Sequence, residues 1–266
     1  MTVLDRILAT KRDEVTMLHR PGVHDLLRSR ALDAPATRGF EAALRHTRDT
    51  LGVIAEIKRR SPSKGDLAPD LDPAATAQAY ELGGATCLSV LTDAVYFGGS
   101  VDDLTSARDA VAIPVLRKDF TIDEVQVFET RALGADAILL IVAALPDDAH
   151  LTDLHDLATE LGLSVLVETH DDAELERALR CGARIVGVNA RNLGTFAEDL
   201  GIGEQLAARI PSDVVAVAES AIRSGDDAQR MGVAGFDAVL VGEMLVKADD
   251  PGATVGVLAA TPRKER

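Results

Sequence analysis

The sequence predicts an α/β fold, a (β/α)8 TIM barrel preceded by a helical extension over residues 1–50, with 1–266 forming one domain. Eight short apolar runs recur between residues 51 and 241, and amphipathic stretches separate them. Several of those stretches stop at a glycine just before the next run: Gly83, Gly134, Gly162, Gly182 and Gly235. A strand followed by a helix and another strand needs a parallel crossover, and eight such units close a barrel. A doubly wound open sheet is the competing architecture. The absence of GxGxxG after the first run and the eight near-equal repeats weigh against it. A chain of 266 residues can bury one large core, as α/β barrels of this size do.

In chain order, Val3, Leu4, Ile7, Leu8, Val15 and Leu18 fall at helical spacing. Pro21-Gly22 interrupts that pattern, and residues 40–44 read as another short helix. No strand signal appears before residue 51. The apolar runs that follow are 51–57, 85–91, 114–116, 135–142, 163–167, 184–188, 213–218 and 236–241. Near-continuous β-branched and aliphatic residues suit strands covered on both faces. The helix-like stretches between them include 73–82, 123–133, 171–179 and 223–231, with glycine placed where a helix ends in the left-handed region.

Composition removes several function classes. With 28 basic against 43 acidic residues the net charge is -15, which repels nucleic acid and anionic membranes. The N-terminal stretch MTVLDRILATKRDEV is too charged for a signal peptide, and the longest apolar run, 137–145, is too short to span a bilayer. Cys87 and Cys181 make no disulfide framework and no metal knuckle, which fits a reducing, cytoplasmic setting. Both read as packing residues. The six histidines, at 19, 24, 46, 150, 155 and 170, are scattered, so no metal site is expected. No GxxxxGK[ST] appears. Asp147-Asp148, Asp171-Asp172 and Asp226-Asp227 fall near helix starts, where negative charge is favoured, and are read as structural.

In a parallel barrel the loops after the strand C-termini build the active site, so polar strand ends carry the chemistry. The first run contains Glu56 and is followed by Lys58; the third ends in Arg117-Lys118-Asp119-Phe120. The fifth leads into Glu168, the sixth into Asn189 and Arg191, the seventh into Glu219-Ser220, and the eighth into Gly242-Glu243. Side chains alternate faces along a strand, so Glu56 shares a face with Ile54 and Lys58, Lys118 with Leu116, Glu168 with Leu166, Asn189 with Gly187, and Glu219 with Val217. All can point to the barrel mouth, where carboxylates and ammoniums compensate one another around a ligand. Of the 28 basic residues 22 are Arg and six are Lys, yet Lys58, Lys64 and Lys118 all fall at this mouth. An ammonium changes its proton affinity on burial more readily than a guanidinium, so lysine there points to proton transfer. Ser61, Ser220-Ala221 and Gly242-Glu243 occupy the places where such barrels hold phosphate, although the same residues also suit ordinary turns.

The segments VIAEIKRRSPSKGD, LSVLTDAVYFGGS, PVLRKDF, ADAILLIVAAL, VLVETH, VGVNARNL, VAVAESAI and VLVGEMLVKADDP, in this order, closely resemble the strand-end motifs of the indole-3-glycerol phosphate synthase family. The likeness runs from about residue 3 to residue 258. It implies a (β/α)8 barrel with an N-terminal helical extension that helps cover the site. It also implies ring closure, decarboxylation and dehydration of 1-(2-carboxyphenylamino)-1-deoxyribulose 5-phosphate, without metal or organic cofactor. By this resemblance Lys118 is the general acid and Glu168 the base. Lys58 holds the substrate carboxylate or delivers a proton, and Glu56 positions it. Asn189 and Glu219 hydrogen-bond the ribulose hydroxyls and developing charge, and Arg191 is a further carboxylate partner. Phe120 and Leu193 pack on the aromatic ring, and Ser61, Ser220, Gly242 and Glu243 surround the phosphate. The implied partner is a phosphorylated anionic small molecule, with monomer and homo-oligomer both open. Two positions depart from the family pattern: Ala221 stands in place of Gly, and Ala190 in place of Asn.

Three other readings compete. A Schiff-base aldolase or lyase would use Lys118 as a nucleophile and needs it neutral. Phosphoribosylanthranilate isomerase shares the architecture but typically uses a Cys, and none follows the first strand here. A non-catalytic sensor of phosphorylated metabolites would bind without turnover.

Overall fold

The computed structural model describes residues 2–47, 49–191, 198–264 and 266. Eight parallel strands close into a barrel: β1 Gly52–Ile57, β2 Cys87–Leu91, β3 Val115–Lys118, β4 Ala137–Ile141, β5 Ser164–Thr169, β6 Ile185–Asn189, β7 Val215–Glu219 and β8 Ala238–Val241. Each pairs with its sequence neighbours, and β8 returns to β1 with Gly52 opposite Ala238 and Ala55 opposite Val241. Unbroken neighbour pairing excludes the doubly wound sheet, which reverses strand order at its middle.

The strand limits lie within two residues of those expected, and at 57, 91 and 241 they coincide. The apolar run at 114–116 is short because Arg117 and Lys118 are polar, yet both belong to β3. Thr169, Asn189 and Glu219 likewise extend β5, β6 and β7 beyond the hydrophobic residues. At the other ends Ala135 and Phe236 are loop, each followed by an aspartate, Asp136 or Asp237, before the strand begins. After β4 the chain turns at once into a 3-10 turn, Val142–Ala144, so the run 135–142 is only partly strand.

Alternation along each strand divides the apolar residues into two cores. Ile54, Cys87, Leu116, Leu139, Leu166, Ile185, Val217 and Leu240 fill the barrel interior. Val53, Ala55, Leu88, Val115, Ile138, Val165 and Val239 face outward against the surrounding helices. Those helices are preceded by three in the extension: α1 Val3–Leu18, α2 Val23–Asp33 and α3 Phe40–His46. The ring is α4 Pro73–Leu82, α5 Val101–Ala110, α6 Glu124–Ala132, α7 Asp148–Glu160, α8 Asp172–Arg180, α9 Leu200–Ala207, α10 Gly225–Ala234 and α11 Pro251–Ala259. Asp72, Asp147, Asp171, Asp199 and Asp250 each accept a backbone N–H at a helix start, and Ser100 and Ser224 do the same. Such caps fix where each crossover turns back. Asp148, Asp172, Asp226 and Asp227 lie in the first turns beside them. Gly134, Gly162, Gly182 and Gly235 take positive φ between helix and strand, as their placement predicts. Gly83 does not; the left-handed residue there is Gly84.

The extension closes both ends of the barrel. Phe40 and Leu44 of α3 are fully buried under the strand N-termini, with the Cys87 thiol against the Phe40 carbonyl. At the opposite rim α1 lays Ile7 over the interior core. α2 packs on α6, an element the sequence did not announce because its apolar face is weak. Cys87 and Cys181 are buried, and burial pushes both thiols up, as befits packing residues. No helix among the described residues is long and apolar enough to cross a membrane.

Candidate active site

A cavity of about 430 Å³ opens at the C-terminal rim of the barrel, the end where β1, β3, β5, β6, β7 and β8 all finish. Glu56, Lys58, Ser61, Lys118, Phe120, Glu168, Asn189, Arg191, Glu219, Ser220, Gly242 and Glu243 all line it. Leu193 lies outside the described residues.

On β3, β5, β6 and β7 the inward parity carries a polar group at the rim: Lys118, Glu168, Asn189 and Glu219. Lys118 Nζ donates to Glu168 Oε2 at 3.0 Å and to Glu219 Oε2 at 2.5 Å, bridging β3 to β5 and β7 across the barrel. Lys58 Nζ lies 2.6 Å from Glu56 Oε1. Asn189 Nδ2 donates to Glu168 Oε1 at 2.9 Å. Two glycines leave room for these carboxylates. A Cβ on Gly187 would run into Glu219 Oε1, and one on Gly242 into Glu56 Oε1. Arg117 and Asp119, which flank Lys118, have the opposite parity. Arg117 is buried outside the barrel, 2.7 Å from Glu129 on α6, and donates to the Thr92 and Thr130 hydroxyls.

Burial makes the electrostatics of this mouth strong. It alone would lower the Lys118 pKa, but the charges of Glu168, Glu219 and Glu56 outweigh it and hold the ammonium above the ordinary lysine range. For Glu168 burial works upward, and Lys118, His170 and the Asn189 amide overcome it, lowering the pKa to about 2. Glu219 is different. Burial and the like charges of Glu168 and Glu56 prevail over Lys118, and its pKa is raised to about 7. Its Oε1 is buried with no hydrogen-bond partner among the described residues, whereas both Glu168 oxygens are held. Two neighbouring carboxylates thereby divide into an ionised one and one that titrates near neutrality.

The expected phosphate residues sit together on one side. The Ser61 hydroxyl is buried at the cavity wall without a partner among the described residues. Ser220 and Ala221 take φ of 66° and 59°, the left-handed region. An L-residue there costs about 1–2 kcal/mol, so Ala221 stores strain at the wall of the cavity. Gly242 leads into a one-turn helix, Glu243–Val246. Glu243 accepts from Lys247, which lines the same cavity, at 2.8 Å. Arg191 is already engaged: it pairs with Glu198 and donates to the Ser63 hydroxyl at 2.5 Å, while Arg223 takes the second Glu198 oxygen.

Several residues here gave no signal in the sequence. Glu198 and Arg223 are joined only through the fold. His170 follows Glu168 on β5, with Nε2 3.5 Å from Glu168 Oε1 and Nδ1 2.9 Å from Glu174 Oε2. Burial would lower its pKa, but the Glu174 hydrogen bond and the Glu168 charge raise it. Val3, Leu4 and Ile7 of the extension also line the cavity, as does Phe97, whose ring centroid is 6.1 Å from that of Phe120. Among the described residues no three His, Cys, Asp or Glu are grouped to hold a metal ion.

Comparison with known proteins bears on the fold and the family. Thiamine phosphate pyrophosphorylase from Pyrococcus furiosus superposes with a TM-score of 0.59 at 16% identity, over 78% of this chain and 93% of that one. N-acetylmannosamine-6-phosphate 2-epimerase from Clostridium perfringens gives 0.58 at 15% identity, over 73% and 86%. At such identity they share the fold alone. The indole-3-glycerol phosphate synthases of Laribacter hongkongensis and Leptothrix cholodnii are each 50% identical to the chain, over 97% of its length and 99% of theirs. The family model of indole-3-glycerol phosphate synthase matches residues 4–258, and the chain therefore belongs to that family of carboxy-lyases of tryptophan biosynthesis.

Proposed function

We propose that the chain closes the indole ring of 1-(2-carboxyphenylamino)-1-deoxyribulose 5-phosphate, with loss of carbon dioxide and water, using Lys118 as general acid and Glu168 as base. The observation that carries this reading is the single ammonium of Lys118 held between two buried carboxylates at the mouth of the cavity. The ring carbon attacks the ribulose carbonyl, whose oxygen needs a proton; Lys118 supplies it. Once Lys118 has given up that proton, the strongest pull that keeps Glu168 acidic disappears, and only those of His170 and Asn189 remain. Glu168 then becomes a stronger base for the proton that the closed, decarboxylated ring gives up. Lys58, freed when carbon dioxide leaves, gives the departing hydroxyl the proton with which it goes as water.

The other groups divide the substrate among them. Lys58, held by Glu56, takes the ring carboxylate, and Phe120 covers the aromatic face. Asn189 and Glu219 meet the ribulose hydroxyls. Ser61, Ser220 and the backbone at Gly242 take the phosphate, and the unpartnered Ser61 hydroxyl supports that placement. Arg191 would reach a carboxylate only by leaving Glu198, so its part is to shape the rim. The ammonium character of Lys118 argues against a Schiff base, which needs a free amine.

Because the chain has no Trp, indole product fluorescence rises from a dark background. Purified protein given this substrate is expected to show that rise, and its absence would overturn the assignment. Lys118→Ala is expected to abolish turnover with an unchanged circular dichroism spectrum. A folded variant retaining more than about a tenth of the rate would remove Lys118 from the acid role.

A further inference from the structure

Lys11, on α1 of the extension, is only 1% exposed, although it lies outside the catalytic cluster. Its Nζ donates to Glu14 Oε2 at 2.9 Å and makes ion-pair contacts with Asp93 Oδ2 at 2.9 Å and Asp119 Oδ1 at 2.8 Å. Asp93 and Asp119 are themselves buried. Burial alone would lower the Lys11 pKa, but Asp119 and Asp93 more than compensate, and the group stays charged. A lysine sealed in this way is rarely a surface accident.

Both carboxylates lead to the cavity. Asp93 follows β2 and caps the one-turn helix Ala94–Phe97, accepting the amides of Tyr96 and Phe97 at 2.6 and 3.1 Å. Asp119 follows Lys118 and accepts the amide of Phe120 at 2.8 Å, while its other oxygen takes the Thr92 hydroxyl at 2.5 Å. Phe97 and Phe120 are the two cavity aromatics in contact. Lys11 thus joins the backbone segments that carry both rings. One turn earlier on the same helix, Ile7 lines the cavity, and the Thr10 hydroxyl is 3.1 Å from the Tyr96 hydroxyl.

We propose that Lys11 is a positioning residue: clamped between Asp93 and Asp119, it fixes the Phe97–Phe120 pair and holds α1 over the cavity, and so sets affinity for the aromatic part of the ligand. The proposal rests on the ring-closing reading above for the identity of that ligand, but the geometry concerns any benzoate-like ring. Lys11 touches no reacting atom in that scheme. Its loss is expected in binding and not in chemistry.

The test uses the full chain with Lys11→Met, Lys11→Arg and Asp93→Asn. Lys11→Met is expected to raise KM for the substrate about tenfold, with kcat within about threefold and competitive inhibition by inorganic phosphate within about twofold. Lys11→Arg, which keeps the charge, is expected to recover most of that loss. Asp93→Asn keeps the helix cap and removes one partner, so it serves if Lys11→Met does not fold, with KM expected to rise about threefold. Titration of anthranilate by its own fluorescence reports ring affinity without turnover, and should weaken in parallel with KM. If the parent binds anthranilate but does not turn over the substrate, the assigned reaction fails while the Lys11 variants still decide this proposal. An unchanged KM and anthranilate affinity in a folded Lys11→Met or Asp93→Asn protein would overturn it. So would equal weakening of phosphate and ring binding, since that marks general disruption of the mouth.

Discussion

At the scale of single residues, the chemistry depends on two glutamates that differ in their surroundings. Glu168 is hydrogen-bonded by Lys118 and Asn189 and faced by His170, whereas Glu219 shares Lys118 but leaves one oxygen unsatisfied against Gly187. The signs of their linkage to stability are opposite. The Glu168 pKa falls from 4.5 to about 2, so its ionised form contributes stability that is present above about pH 4.5 and lost as pH falls through about 2. The Glu219 pKa rises from 4.5 to about 7, so its bound proton contributes stability that is present below about pH 4.5 and lost as pH rises through about 7. Glu168→Gln is therefore expected to destabilise the ligand-free protein at pH 8, on the order of 2 kcal/mol. Glu219→Gln should be neutral or stabilising at that pH, because it removes one of three carboxylates facing two lysines. Both are expected to cost activity. The parent kcat/KM should fall below an apparent pKa near 7, and that limb should vanish in Glu219→Gln. Thermal denaturation at pH 5 and pH 8, beside a pH–rate profile, checks both. A limb that survives in Glu219→Gln would move the titration elsewhere.

At the scale of elements, the extension binds to the barrel at two ends for two purposes. α3 plugs the closed end with Phe40 and Leu44, and α1 roofs the open end with Val3, Leu4 and Ile7. Phe40→Ala removes a fully buried ring and is expected to cost about 3–5 kcal/mol, a fall in Tm of roughly 10 °C. KM should stay as in the parent, since the plug lies beneath the strand starts and the cavity opens beyond their ends. A large change in KM from Phe40→Ala would mean that the two ends of the extension are coupled. The strand-helix alternation was legible because parallel strands buried on both faces are apolar almost throughout. The true strand ends were not, since the residues that finish β3, β6 and β7 are Lys118, Asn189 and Glu219, whose polarity truncates the hydrophobic pattern where the chemistry begins. Parity recovered them. Counting in twos from Leu116, Leu166, Gly187 and Val217 placed four polar groups on the interior face, and the same rule turns Arg117 away from it. Lys11 escaped because one charge on an amphipathic helix reads as a solvent face. Its partners Asp93 and Asp119 are remote in sequence, and although Asp119 stands among the polar residues that end the third run, nothing local ties either to Lys11.

At the scale of the whole molecule, two fields compete for an anionic substrate. The chain carries a net charge of -15, while Lys58, Lys64, Lys118, Arg191, Arg223 and Lys247 line one cavity, where Glu56, Glu168, Glu198, Glu219 and Glu243 pair with all of them except, among the described residues, Lys64. The first field repels at long range and the second attracts at short range. A chain of this length has a radius of gyration of about 18 Å. At about 0.01 M ionic strength the Debye length is roughly 30 Å, so an approaching anion senses the entire negative molecule. Near physiological salt it is roughly 8 Å, and an anion at the rim senses the local cations while the far acidic surface is screened. At about 1 M it is roughly 3 Å, and the attraction at the rim is screened as well. The kcat/KM is therefore expected to rise as salt is added from the lowest values, pass through a maximum near about 0.1 M, and fall toward about 1 M. kcat itself should change little, because Glu168 and Glu219 are sealed from bulk ions. Lys64→Gln, an exposed change on the rim, should flatten the falling limb and leave the rising one in place. A kcat/KM that only falls with salt would show that the mouth dominates at every distance. One that only rises would show that the clustered cations do not guide the substrate, and that local charge at this site serves catalysis alone.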